Sequence, residues 1–171
     1  VSAVRARIPW LLVNLMTAFV ASSVVSLFAH VIDEVVALAF LMPVVAGLSG
    51  NAGSQALAVS VRAIAERDLE GPLVRRAIRR EALTAIINGT VIAWSAALIV
   101  LLWFHKPTLS VVIGLSMMVT FAWAGLVGIL APFTLTRFGA DPAVASSVFV
   151  LTTIDMASFF FFFFLASVML L

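Results

Sequence analysis

The chain has 171 residues, ten Lys or Arg against eight Asp or Glu, a net charge of +2, 64% hydrophobic residues and a mean hydropathy of +1.23. That composition excludes a soluble globular domain, and its length allows one domain. With no cysteine it has neither a disulfide framework nor a thiolate metal site.

The apolar runs predict five membrane-spanning helices, at about residues 9–30, 35–64, 82–104, 108–136 and 143–171. Pro9 suits a first helical turn. No small-residue cleavage site follows a short apolar core, so the first run reads as a span and not a signal peptide. Arg5 and Arg7 precede it. Trp10 and Trp103 fall near span ends, where aromatic side chains anchor at the interface.

The second run is long enough to be tilted or broken, and it carries an unusual stretch from Pro43 to Gln55. Pro43 removes one backbone donor and disrupts the local ladder. Gly47, Gly50 and Gly53 allow close approach of another helix. Asn51 and Gln55 are one turn apart and share a face. Freed carbonyls and amide oxygens are hard ligands for a hard cation or its water shell. The same residues also suit a tight helix crossing held by Asn and Gln.

Between the second and third runs lie Arg62, Arg67, Arg75, Arg76, Arg79 and Arg80, and Arg137 lies between the fourth and fifth. The opposite side has only Lys106. The positive-inside rule therefore puts the N-terminus in the cytoplasm and the C-terminus outside. The positive balance reads as a topology signal and not as a nucleic-acid surface. Asn88 falls inside the third run, where it is expected to hydrogen-bond between helices. His30, Asp33, Glu34 and His105 lie near outer span ends without metal-ligand spacing.

The fifth run holds Asp155 far from either end. A charge at that depth costs roughly 2.5–3.5 kcal/mol on insertion scales, so it needs a water-filled cavity, a partner or an ion. Ser147, Leu151, Asp155 and Ser158 recur at helical spacing, with Thr152 beside them. A polar stripe on an otherwise apolar helix faces a pore or a partner. The alternative for each hydroxyl is a bond to its own helix. Phe159 to Phe164 encircle the helix and select no face. No HExxH, GxSxG or P-loop pattern occurs, which argues against an enzyme.

Taken in order, these pieces resemble the membrane domain of MgtE-type magnesium channels. Pro9-Trp10-Leu11-Leu12 is similar to the start of that family's first helix. Pro43 with Gly47-Leu48-Ser49-Gly50-Asn51-Ala52-Gly53-Ser54-Gln55 resembles its second-helix signature. Arg62-Ala63-Ile64-Ala65-Glu66-Arg67-Asp68-Leu69 resembles the segment that follows. Asp141-Pro142-Ala143 leading to Thr152-Thr153-Ile154-Asp155 resembles the approach to its intramembrane aspartate.

The resemblance implies an all-α polytopic protein of the inner or plasma membrane, a two-fold homodimer with five helices per protomer. It implies a central pore lined mainly by the second and fifth helices. Asp155, with the Leu151 backbone carbonyl and Ser147, would bind hydrated Mg²⁺. Gly47, Gly50, Asn51, Gly53, Gln55, Thr152 and Ser158 would line the passage. Transport of Mn²⁺ or Co²⁺, coupled exchange, or a non-conducting assembly domain are the other readings. Val148 and Ser158 stand where the family commonly has Pro and Gly. The family's cytoplasmic N-terminal and CBS domains, which sense intracellular Mg²⁺ and gate the pore, are not among the 171 residues, whether the chain is truncated or naturally short.

Overall fold

The computed structural model describes residues 2–65, 72–137 and 145–171. They form six helices: α1 (Ser2–Ser26), α2 (Ala29–Glu34), α3 (Ala37–Ala65), α4 (Pro72–Phe104), α5 (Pro107–Arg137) and α6 (Ala145–Leu170). Five contain segments long and apolar enough to cross a membrane: Ile8–Ser26, Ala37–Ala65, Ile78–Phe104, Pro107–Thr136 and Ser147–Leu170. The expected number of spans is therefore present, and the protein is an all-helical, multi-pass membrane protein.

Several expected boundaries differ for local reasons. The first span stops at Ser26, and the chain turns into the separate short helix α2. Near that stop the Ser23 and Ser26 hydroxyls donate to carbonyls three residues back, and the Phe28 N–H donates to the Val25 carbonyl. Pro9 lies inside α1 and not in its first turn. Pro43 lies inside an unbroken α3, so the missing N–H leaves the helix continuous. Helix α4 begins at Pro72, where a proline needs no intrahelical donor. Arg75, Arg76, Arg79 and Arg80 thus sit on its opening turns and not in a loop. Arg67 and Asp141-Pro142-Ala143 lie outside the described residues.

Only His105 and Lys106 separate α4 from α5. His105 adopts φ 54°, and its N–H donates to the Leu101 carbonyl at 3.0 Å. This left-handed residue closes the end of α4 and forces an immediate reversal. The two helices therefore pack as an antiparallel pair.

Helix α5 is the hub, with α3, α4 and α6 all packed on it. Helix α3 also packs on α6, and so does α1. Most of α1 between Val4 and Val20 is exposed, including Leu11, Leu12, Met16 and Phe19. In a bilayer such surface needs no burial, because lipid tails are as apolar as leucine.

The core has two layers. Toward α2, bulky side chains meet: Leu38, Leu41, Val45, Leu109, Ile113, Met117, Phe162 and Phe163. Phe28 stacks on Phe163 with ring centroids 5.9 Å apart. Toward the other end the core is small-residue packing, with Ala124, Ala131, Val150 and Ile154 in one cluster. Between the layers lies a belt of buried hydroxyls. Ser49 on α3 donates to Thr120 on α5 at 2.8 Å, and Thr120 donates to its own helix at Met117. Ser116 is equally buried and donates to the Val112 carbonyl. Asn88 departs from expectation: it is exposed on α4 and makes no hydrogen bond to another helix among the described residues.

In the small-residue layer the backbones nearly touch. A Cβ on Gly128 of α5 would lie 2.7 Å from Ala56 Cβ and 2.7 Å from the Gly53 carbonyl oxygen of α3. Backbone cannot swing aside as a side-chain tip can. Gly128→Ala is therefore expected to destabilise the fold by about 1–3 kcal/mol through overpacking. At Gly114 the added carbon would approach no closer than 3.4 Å, to Ala97 Cβ. Gly114→Ala should stay within ~0.5 kcal/mol of the parent. Thermal unfolding in detergent micelles compares the two, and equal losses would remove the contact as the cause.

Candidate functional site

The glycine stretch of α3 has two faces, and they do different things. Ser49, Gly50, Gly53 and Ala56 are buried against neighbouring helices. Gly47, Asn51 and Gln55 are exposed on the other side, and nothing lies within 4 Å of a Cβ placed on Gly47. The Ser54 hydroxyl is satisfied by the Gly50 carbonyl at 2.8 Å. Asn51 and Gln55 thus present amide groups on one open face, at the one-turn spacing of the sequence.

Helix α6 meets the buried face. Leu151 Cδ2 lies 3.7 Å from the position of a Cβ on Gly50. The Ile154 side chain fills the space beside Gly53 so closely that any Cβ there would displace it. These two contacts fix how α6 is rotated. Val150 and Ile154 point inward and are fully buried, while Leu151 keeps 36% of its surface exposed. Asp155, one turn beyond Leu151, is partly buried. Among the described residues none donates a hydrogen bond or forms an ion pair with its carboxylate.

The remaining polar groups of α6 are mostly spoken for. Thr152 donates to the Val148 carbonyl at 2.7 Å. Thr153 lies between the Phe149 and Val150 carbonyls, at 2.9 and 3.0 Å. Ser147 is partly buried and already engaged in a contact. Ser158 is fully buried, and its Oγ has no hydrogen-bond partner among the described residues. Leu151 lies inside an uninterrupted helix, where a carbonyl already accepts from the N–H four residues on.

The structure therefore divides the expected site. Gly47, Asn51 and Gln55 on α3, and Leu151 with part of Asp155 on α6, reach the protomer surface. Gly50, Gly53 and Ser158 lie in its interior. The bare backbone of Gly53 is what admits Ile154, while Leu151 lies at ordinary contact distance from a Cβ placed on Gly50. Two supports had no clear sequence signal. Trp123 Nε1 donates to the Thr153 carbonyl at 3.3 Å and ties α5 to α6 just before Asp155. The Ser49–Thr120 bond locks α3 to α5 beside the glycines. A lone Trp and a lone Thr inside an apolar run look the same whether they face lipid or a neighbour.

Among the described residues, no group of three or more His, Cys, Asp or Glu could hold a metal ion. One protomer thus offers a single mid-span carboxylate on α6 and two exposed amides on α3.

Residues 42–165 match the MgtE family, described as a divalent cation transporter. The chain is 35% identical over 161 residues to a magnesium transporter MgtE of Enterococcus faecalis, and 33% identical over the same length to one of Bacillus subtilis. It is 35% identical over 167 residues to a magnesium transporter MgtE of Thermus thermophilus. These alignments cover 94–96% of the chain but only 36% of each relative, so the chain spans about a third of their length. With the family match extending from α3 through most of α6, across Gly47–Gln55 and Asp155 alike, the chain belongs to the MgtE family of divalent cation transporters.

Proposed function

We propose that this chain forms the transmembrane pore of a magnesium transporter, with two copies around a two-fold axis and hydrated Mg²⁺ held between their Asp155 carboxylates. The observation that carries the reading is the carboxylate itself. It sits in mid-span, partly exposed, without a hydrogen-bond donor or cation among the described residues. An unpaired charge at that depth is expensive and marks an ion pathway by default.

Mg²⁺ sheds water reluctantly and is held through one or two carboxylates with several waters retained. One Asp155 from each copy matches that requirement. The exposed amides of Asn51 and Gln55 supply oxygens that accept from the water shell. Gly47, with open space around it, lets a second copy approach closely. A cyclic two-fold dimer is the commonest closed assembly and makes one carboxylate into a facing pair.

Direction follows from the basic residues. Arg5, Arg62, Arg76, Arg79 and Arg80 mark the ends of α1, α3 and α4 that lie on the cytoplasmic side, and Lys106 lies on the other. An inside-negative potential then draws a divalent cation inward with about 4.6 kcal/mol per 100 mV. The protein acts as a conduit in the plasma membrane, and the ion is cargo.

Asp155→Asn should lower Mg²⁺ flux into proteoliposomes by roughly 100-fold, equivalent to ~2.7 kcal/mol of barrier, while the protein stays monodisperse. Flux equal to the parent would sink the pore assignment and leave Asp155 an assembly role. Uptake of Mn²⁺ or Co²⁺ in preference to Mg²⁺ by the parent would change the cargo.

Single cysteines introduced at Asn51 should form disulfide-linked dimers in membranes, since the chain has no cysteine of its own. A cysteine at Trp94, which is exposed on α4, is the lipid-facing comparison. Cross-linking at Trp94 without any at Asn51 would move the interface away from α3.

A further inference from the structure

Leu151 is the large apolar side chain one turn before Asp155 on the same side of α6. It retains 36% exposure although its neighbours Val150 and Ile154 are completely buried. Among the described residues, a Cβ at position 50 has Leu151 as its one neighbour within 4 Å, through Cδ2 at 3.7 Å. The tip of the side chain thus lies at van der Waals distance from where a Cβ at position 50 would stand, so a side chain that reaches past Cβ there would press on it.

We infer that Leu151 is an apolar constriction beside the carboxylate, and that Gly50 sets its width by giving the side chain a place to lie. The inference rests on the two-fold pore proposed above and specifies which side chain limits passage through it. Helix α6 carries Leu151 on the Ser147 side of Asp155. With the Ser147 end cytoplasmic, an ion leaving the Asp155 pair inward next meets two facing leucines. Their methyl groups accept and donate no hydrogen bonds, so the ion's water shell gains nothing from them. Hydrophobic constrictions restrict conduction by dewetting.

The geometry makes the constriction adjustable. A leucine lying on Gly50 is drawn back against α3, and a leucine pushed off that seat moves toward the axis. The contact is made by a side-chain tip, which changes rotamer easily compared with backbone. This role belongs to the side chain and is separate from that of the Leu151 carbonyl, which is engaged within the helix.

The test is Mg²⁺ uptake into proteoliposomes by the full 171-residue chain, each variant first shown to be monodisperse. Leu151→Ala should raise uptake about three- to tenfold, less than ~1.4 kcal/mol of barrier. Gly50→Val should lower it by a similar factor, because its methyl groups occupy the seat of Leu151. In the Gly50→Val/Leu151→Ala double variant the valine fills vacated space, and uptake should return to the parent level or above. A purely structural role predicts losses that add instead. Uptake by Leu151→Ala at or below the parent level overturns the constriction, as does equal suppression by Gly50→Val in both backgrounds. Should Gly50→Val fail to fold, Leu151→Phe takes its place: reduced uptake supports the constriction and unchanged uptake overturns it. Asp155→Asn separates the two ideas. Parent-level uptake in Asp155→Asn removes the pore and the constriction together. Loss of uptake in Asp155→Asn beside parent-level uptake in Leu151→Ala removes the constriction alone.

Discussion

The close approach of α3 to α5 at Gly53, Ala56 and Gly128 governs the rest of this structure. Lipid tails give helices no hydrophobic reason to associate, so association depends on van der Waals contact and interhelical hydrogen bonds. Glycine provides the contact by bringing backbones together, and the Ser49–Thr120 bond adds a directional link beside it. Once α3 is seated this way, its rotation is settled. Gly50 and Gly53 must face inward, and Gly47, Asn51 and Gln55 must face outward. The outward face is the one with polar groups to offer another copy or a hydrated cation.

The same contact governs α6. Ile154 fits against the bare backbone of Gly53 with Leu151 beside Gly50, and Trp123 holds the α6 backbone from α5. Asp155 follows directly after Ile154, so its exposure is a consequence of where Ile154 is buried. The site is thus built on rigid helices packed through small residues, not on loops. The cation site proposed here, with one carboxylate per copy, would gain orientation from such a frame, because few ligands would orient it by chelation.

Polar economy explains which residues of the stripe are free to act. The hydroxyls of Thr152, Thr153 and Ser54 are satisfied by carbonyls of their own helices. Such bonds let a hydroxyl sit at membrane depth at little cost. Neither a carboxylate nor a primary amide can be satisfied so simply, since each has more lone pairs or donors than one local carbonyl can match. Asp155, Asn51 and Gln55 are therefore the groups left for an outside partner. Ser158 is a different case, buried with no partner for its Oγ among the described residues.

The number of spans, the isolation of Asp155 and the pairing of Asn51 with Gln55 could be read from the sequence. Each rests on a local rule: apolar length against bilayer thickness, the cost of a charge in hydrocarbon, or the helical repeat. Family membership was legible too, since the Pro43–Gln55 and Thr152–Asp155 segments carry it. The break at Ser26, the unbroken course of α3 through Pro43 and the helical placement of Arg75–Arg80 were not legible, because composition fixes hydropathy and not where a helix ends. Nor could spacing tell that Gly50, Gly53 and Ser158 turn inward while Gly47 and Leu151 turn outward. A helix that is apolar on every side carries no mark of which side meets protein. That choice was made by the tertiary structure, where backbones meet at Gly128 and set the rotation of α3, and where Ile154 fills the space at Gly53 and sets that of α6.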